Sequence, residues 1–214
     1  EILIKKSENN LKSLNFFKNV KTNIISGTNE NSKIINYEIV EKPTGEISAG
    51  AGIGTEGGTF FIGVRENNYL GKGVAVDSNF TVSKNSLKGN FGILNPNFNN
   101  SDKSIFINLK AEEIDQLIDS GYKTNKTGFN LGTSFEYYED FNLGLSTSSF
   151  LETIDTNSTA SSRQKKQAGN YLDTFVRFNF DYDKRNQKFQ TSDGFRSKYI
   201  LDLPIISDTN TLTN

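Results

Sequence analysis

Thr174-Phe175-Val176-Arg177-Phe178-Asn179-Phe180-Asp181-Tyr182 is the stretch on which the reading of the whole chain turns. Its even-numbered residues are Thr, Val, Phe, Phe and Tyr, while Arg177, Asn179 and Asp181 occupy the other parity. A period of two marks a strand with one apolar and one polar face, because successive side chains on a pleated strand point to opposite sides. Phe175 sits on the polar parity between Asp173 and Arg177, an exception the sequence does not explain.

The same alternation fills the chain after Pro43. The apolar parity runs through Ile47, Ala49, Ala51 and Ile53, then Phe60 to Val64, Val74 to Val82, Leu87 to Ile93 and Ile105 to Ala111. It continues through Phe129 to Tyr137, Phe141 to Thr147, Thr174 to Tyr182 and Phe195 to Leu203, about nine strands in all. Charged residues such as Arg65, Asp77, Lys88, Lys110, Glu112, Arg177, Asp181, Lys198 and Asp202 keep to the opposite parity. A transmembrane barrel requires this segregation, since a Lys or Arg facing lipid at mid-depth costs roughly 2 to 4 kcal/mol and a lumen-facing one is solvated.

A soluble antiparallel sandwich also alternates. Two features favour the barrel. The segments run about 9 to 11 residues, which suits a tilted membrane strand better than a soluble one. The connections also alternate in character: 67–72 and 139–140 are short on the side of the N-terminal segment, and 113–126 and 152–170 are long and polar on the far side. The connections at 95–104 and 184–193 depart from that rule.

Composition narrows the function classes. With 34% hydrophobic residues and a mean hydropathy of −0.53, no apolar run reaches the roughly 18 to 20 residues of a spanning helix. The net charge of −1 gives no bulk attraction to nucleic acid or anionic lipid. Without His or Cys there are no imidazole or thiolate ligands and no usual general base, so no enzyme, metal or cofactor is expected. Seventeen Phe and eight Tyr against three Pro favour strands over disorder, and the 27 Asn read as compositional bias rather than a prion-like tract. The absence of Met, an opening inside an amphipathic pattern and a close at Thr211 to Asn214 without an evident stop suggest an internal fragment.

Residues 1–43 differ from 44–214. Leu3, Ile4, Leu11, Leu14 and Phe17 recur at helical spacing, which predicts a short amphipathic helix ending near Asn15. Val20, Thr22 and Ile24 then alternate, Ser26-Gly27-Thr28-Asn29 is turn-rich, and Ile34 to Val40 forms a second strand. Helix, strand, turn and strand make part of a small mixed unit, too little to bury a core alone.

Several motifs carry a family resemblance. Leu14-Asn15-Phe16-Phe17-Lys18-Asn19-Val20 is similar to the helix-to-strand step of POTRA domains. Glu41-Lys42-Pro43-Thr44-Gly45 resembles the junction between the last POTRA domain and the barrel in the BamA family of outer-membrane assembly factors. Gly50-Ala51-Gly52-Ile53-Gly54-Thr55-Glu56-Gly57-Gly58 resembles that family's first barrel strand, and Glu66-Asn67-Asn68-Tyr69-Leu70-Gly71-Lys72-Gly73 its first periplasmic turn. Asn95-Pro96-Asn97-Phe98 and Thr191 to Arg196 sit where the family has similar turns, so the resemblance spans the chain. It implies a mainly β fold: the N-terminal half of a transmembrane antiparallel β-barrel, about nine strands of sixteen, at 44–214, preceded by a partial α/β POTRA domain at 1–43.

The resemblance further implies a bacterial outer-membrane location with the N-terminal segment in the periplasm, and assembly and insertion of β-barrel proteins as the activity. Its implied partners are unfolded outer-membrane protein clients, accessory assembly lipoproteins, periplasmic chaperones and outer-membrane lipid, with no nucleic acid. The binding residues would be the edge of the first strand: Ile47, Ser48, Ala49, Gly50, Ala51, Gly52, Ile53, Gly54 and Thr55. Gly50, Gly52 and Gly54 share one face, which lowers side-chain mass and weakens register, so this strand could open as a lateral gate and template a client strand. The same glycines could instead relieve crowding or let neighbouring aromatics pack over them. A secretion channel of the TamA or two-partner type, and a soluble β-sandwich binding module, are the alternatives.

Among the remaining motifs, Asp181-Tyr182-Asp183 with Lys184-Arg185, and Arg163-Gln164-Lys165-Lys166, read as a strand end and an external loop rather than ligand sites. The glycines at 50–58 lack the Lys-Ser/Thr ending and following helix of a nucleotide loop. Asn157-Ser158-Thr159 spells a glycosylation sequon and no more.

Overall fold

A computed structural model describes residues 2–29, 32–54, 57–186 and 191–207. Thr55 and Glu56, assigned above to the first barrel strand, lie outside the described residues, as do Thr211 to Asn214. The chain opens with helix α1 (Ile2–Ser13), which ends before Asn15, held at φ 60°. Strands β1 (Phe17–Ser26) and β2 (Lys33–Glu41) form an antiparallel pair beside it. Lys12 and Thr22 both donate to the Glu8 carboxylate, tying α1 to β1 and holding that carboxyl below its usual range.

The remaining strands are β3 (Gly45–Gly54), β4 (Gly57–Tyr69), β5 (Val74–Ser83), β6 (Ser86–Asn95), β7 (Lys103–Gln116), β8 (Tyr122–Tyr138), β9 (Phe141–Thr156), β10 (Gly169–Asp183) and β11 (Arg196–Ser207). They build one antiparallel sheet in sequence order, each paired with its chain neighbours, with β3 and β11 at its edges. The expected nine strands are all present. The fold is mainly β, and the sheet is not closed.

The register fixes the faces. Ile47 stands opposite Val64, Ile62 opposite Phe80, Phe91 opposite Leu109, Leu109 opposite Phe129 and Leu145 opposite Phe178. One face is therefore continuously apolar. Only Val20 and Ala160 are buried apolar residues among those described, and no second sheet covers the apolar face as a sandwich would require. Along β8, Thr127 to Phe135 carries uncharged residues on this face. At roughly 3.3 Å per residue and a tilt near 40° these span about 20 Å of height, close to the apolar band of about 25 Å in outer-membrane barrels.

Rings gather at the end nearer the N-terminal unit. Tyr182 lies 6.4 Å from Phe141 and 5.6 Å from Phe195, Phe180 lies 6.1 Å from Tyr199, and Tyr137 lies 4.4 Å from Tyr138. An aromatic girdle at the interface is a feature of membrane barrels.

Two expectations need correction. The connections are shorter than 113–126 and 152–170: β7 and β8 are joined through 117–121, and β9 and β10 through the twelve residues 157–168, which hold a short helix α2 (Ser162–Lys166). β7 to β10 span 14 to 17 residues rather than 9 to 11. A backbone ladder needs no apolar side chains, and cross-strand pairs such as Lys123–Glu113 at 2.8 Å and Lys126–Glu152 at 3.3 Å carry it past the apolar band. Connection length consequently does not separate the two sides, since four residues (70–73) join β4 to β5 and twelve (184–195) join β10 to β11 on the same side.

Phe175 stays on the inner face, because the β10–β9 register runs unbroken through it. It lies at a bulge, opposite Pro204 on β11 and Ser148 on β9. The amide of Asp183 donates to the Asp140 carbonyl, so odd residues of β10 bond to β9 and even ones to β11. The Phe175/Pro204 pair is therefore a non-bonded one, and the missing proline N–H costs the β10 ladder nothing.

Leu109 and Asn108 are adjacent on β7 and face opposite sides. Leu109→Arg should lower the stability of the bilayer-embedded protein by about 2 to 4 kcal/mol, and Asn108→Arg, on the side of Asp77, by far less, as read by denaturant unfolding in lipid vesicles.

Candidate functional site

β3 pairs with β4 from Gly45 opposite Glu66 to Gly54 opposite Gly57, and no strand pairs with its other side among the described residues. One hydrogen bond sets the polarity of that edge. The Asn67 amide donates to the Thr44 carbonyl at 3.4 Å, which makes 44 opposite 67 a bonded pair. Bonded and non-bonded pairs alternate along an antiparallel ladder. Ser48, Gly50, Gly52 and Gly54 therefore commit their amides to β4, whereas Ile47, Ala49, Ala51 and Ile53 turn theirs to the open edge. These are the residues whose side chains lie on the apolar face, with Ile47 77% and Ile53 94% exposed.

All eight predicted edge residues that are described thus lie on one strand, but their roles split in two: half carry the free backbone groups, and half form the polar-side surface. The glycines split as well. A Cβ on Gly50 would stand 2.2 Å from the Phe61 ring, so the packing reading holds at Gly50. The same arrangement recurs at Gly132 under Phe106 and Gly128 under Phe150, each opposite its ring in register. Gly52 and Gly54 have nothing within 4 Å of a would-be Cβ. Gly54 stands opposite Gly57 and Gly52 opposite Thr59, so on the inner face the described end of this hairpin carries little side-chain mass.

The opposite end of β3 is latched. Thr44 Oγ1 donates to the Glu66 carboxylate, the Asn68 amide donates to Glu66 Oε1 at 2.7 Å, and Asn67 Nδ2 donates to the Thr44 carbonyl at 3.3 Å. The Gly73 amide reaches Asn68 Oδ1 at 2.7 Å and closes the turn, in which Leu70, Gly71 and Gly73 adopt positive φ. The Lys42 amide donates to the Phe16 carbonyl at 3.1 Å, connecting the latch to the N-terminal unit. Sequence reasoning singled out Thr44 and Glu66 to Gly73 as motif residues only; that they face one another follows from the β3–β4 register.

The carboxylates of the other charged motif, Asp181 and Asp183, are each paired with an arginine. Arg196 binds Asp181 through two bonds of 2.8 and 2.6 Å, and Arg185 binds Asp183 through two of 2.6 Å. Arg163, Lys165 and Lys166 lie in α2, which Ser161 and Gln164 cap reciprocally. Asn157 is a loop anchor, its Nδ2 donating to the Leu117 carbonyl at 2.7 Å and its Oδ1 accepting from Thr159.

The model of the Omp85 superfamily domain matches residues 68–212. The chain belongs to the Omp85 superfamily. The matched residues begin at the end of β4, so β3 precedes them. Among solved structures, BamA from Haemophilus ducreyi lacking POTRA domains 1-3 aligns with a TM-score of 0.70 at 19% identity, over 96% of this chain and 42% of that one. This Omp85 chain therefore has a BamA-type fold that includes β3, and it spans less than half the length of that structure.

Two glycines on the same strand give a sharp contrast. Gly50→Ala forces the Phe61 ring aside and should destabilise the Omp85 barrel by about 1 to 3 kcal/mol, while Gly52→Ala should be neutral or better, as measured by the denaturant midpoint of the intact protein.

Proposed function

We propose that this chain is part of an outer-membrane machine that assembles and inserts β-barrel proteins, with β3 as the strand on which a client strand is templated. Residues 1–43 would be the end of a periplasmic POTRA domain and 44–214 the first part of the barrel. The observation that carries the reading is the edge of β3, which no strand pairs among the described residues and whose outward N–H and C=O groups belong to residues of the apolar face. Hydrocarbon offers no water to satisfy such groups, so an extended segment that pairs with them is strongly favoured. Pairing through backbone atoms is tolerant of client sequence, as β-augmentation requires. The latch at Thr44 and Glu66 keeps the base of β3 on β4, and the scant side-chain mass at Gly52 and Gly54 would weaken the hold on its far end. The clients would be unfolded outer-membrane proteins, delivered with the help of chaperones and accessory lipoproteins, and the work would come from client folding and lipid burial.

A secretion channel is the second reading, favoured by the charged inner face with its Lys88–Glu112 and Arg177–Asp202 pairs. Steady ion conductance through the intact protein in planar bilayers would support it.

Ala51→Pro removes an edge donor but no bond to β4, and it should slow client insertion by intact protein in proteoliposomes at least tenfold while the barrel itself stays folded. Gly52→Pro should instead break the β3–β4 ladder and unfold the hairpin. Normal insertion with Ala51→Pro in a folded barrel would end the templating reading.

A further inference from the structure

The templated strand also has to find its register, and β3 supplies little to set it. Its apolar side chains contact lipid without direction, and Gly50, Gly52 and Gly54 present no side chain to the inner face. A slip of one residue is opposed because it inverts the faces, but a slip of two preserves them. Glu46 is the only charged residue of β3.

The register places Glu46 opposite Arg65 and Arg65 opposite Asp77, a rank that runs minus, plus, minus across three consecutive strands on the inner face. The sheet builds a second such rank from Lys88, Glu112, Lys126 and Glu152, alternating in sign over β6 to β9. There the directly opposed pairs close to 2.7 Å for Lys88–Glu112 and 3.3 Å for Lys126–Glu152. Arg177 and Asp202, also opposed, meet at 2.6 Å. Opposite charges facing one another across strands are therefore how this sheet arranges its inner face.

The first rank stops at the open edge. Its three charges sum to −1, and Glu46 is its last member. No hydrogen bond or ion pair engages the Glu46 carboxylate or the Arg65 guanidinium among the described residues. They line a cup of about 230 Å³ together with Ser48, Asp77 and Asn79, where Asp77 Oδ2 accepts from Asn79 and Asn90. An antiparallel strand laid on the edge would meet Glu46 in a non-bonded pair, the arrangement that brings opposed side chains closest.

We infer that Glu46 is a register-setting residue, which accepts an inward-facing Lys or Arg of the incoming strand and continues the alternating rank by one position. This rests on the templating reading and adds to it a chemical preference: a client strand with a cation on its lumen face, near the end that lies beside the latch.

The test is a disulfide register scan with the intact protein in proteoliposomes, carrying Ser48→Cys and no other cysteine. Single cysteines are walked along the inward positions of a client's terminal strand, where opposed Cα atoms must come within roughly 4.4 to 6.8 Å for a bond to form. One client position should dominate, with the client's cation two residues C-terminal to it, which sets that cation opposite Glu46. Glu46→Lys should spread or move the cross-link and slow insertion about threefold to fivefold, less at high ionic strength, and a client Lys→Glu should restore both. Glu46 is exposed and has no ion-pair partner among the described residues, so the barrel should tolerate the change, which heat-modifiable gel mobility would verify. An unmoved cross-link in the Glu46→Lys protein would overturn the role of Glu46 and leave templating standing. The absence of a cross-link at every client position, or cross-links only within the protein's own chain, would overturn both.

Discussion

In hydrocarbon, every backbone N–H and C=O must find its partner in protein. That requirement explains why the strands run in an unbroken antiparallel meander and why each is laid beside the one before it. Side chains adjust to this ladder rather than direct it. β7 to β10 continue past the apolar band through Glu113, Lys123, Lys126 and Glu152, whose charges pair across strands where lipid would no longer exclude them.

The two faces then solve separate problems. The apolar face needs only surface, and it obtains that from Val, Ile, Leu and Phe with rings at one margin. The polar face must hold a single layer rigid without a core, and it uses direct opposition: carboxylate against cation, and ring against glycine. Phe61, Phe106 and Phe150 each lie over a glycine on the neighbouring strand. Glycine in a strand is usually a weakness, but opposite an aromatic it becomes a socket. The same residue type therefore stiffens the sheet at position 50 and leaves it bare at 52 and 54.

The strands were legible in the sequence because lipid and water impose a period of two that mean hydropathy cannot register. Val74 to Val82 and Phe129 to Tyr137 name their faces outright. Their ends were not legible. Glu113 to Gln116 and Tyr122 to Lys126 look like a polar loop because nothing local distinguishes a charged residue in a ladder from one in a turn; only the partner strand does. Phe175 was opaque for a related reason, since its partner across the ladder, Pro204, lies 29 residues away. Of the candidate site, the strand itself was readable. Which of its residues carry free amides was not, because that depends on the single bond from Asn67 to Thr44. The latch and the rank from Glu46 to Asp77 likewise exist only once register is known.

Pro204 makes the two edges of the sheet unequal. Its ring nitrogen points away from β10, toward whatever would lie beside β11. A strand added there would offer one carbonyl that finds no donor, a gap midway along an otherwise continuous seam. The edge of β3 contains no proline and no such gap. Among the nine described strands, β3 thus offers a neighbour an unbroken seam of donors and acceptors, and β11 offers one with a single gap at Pro204.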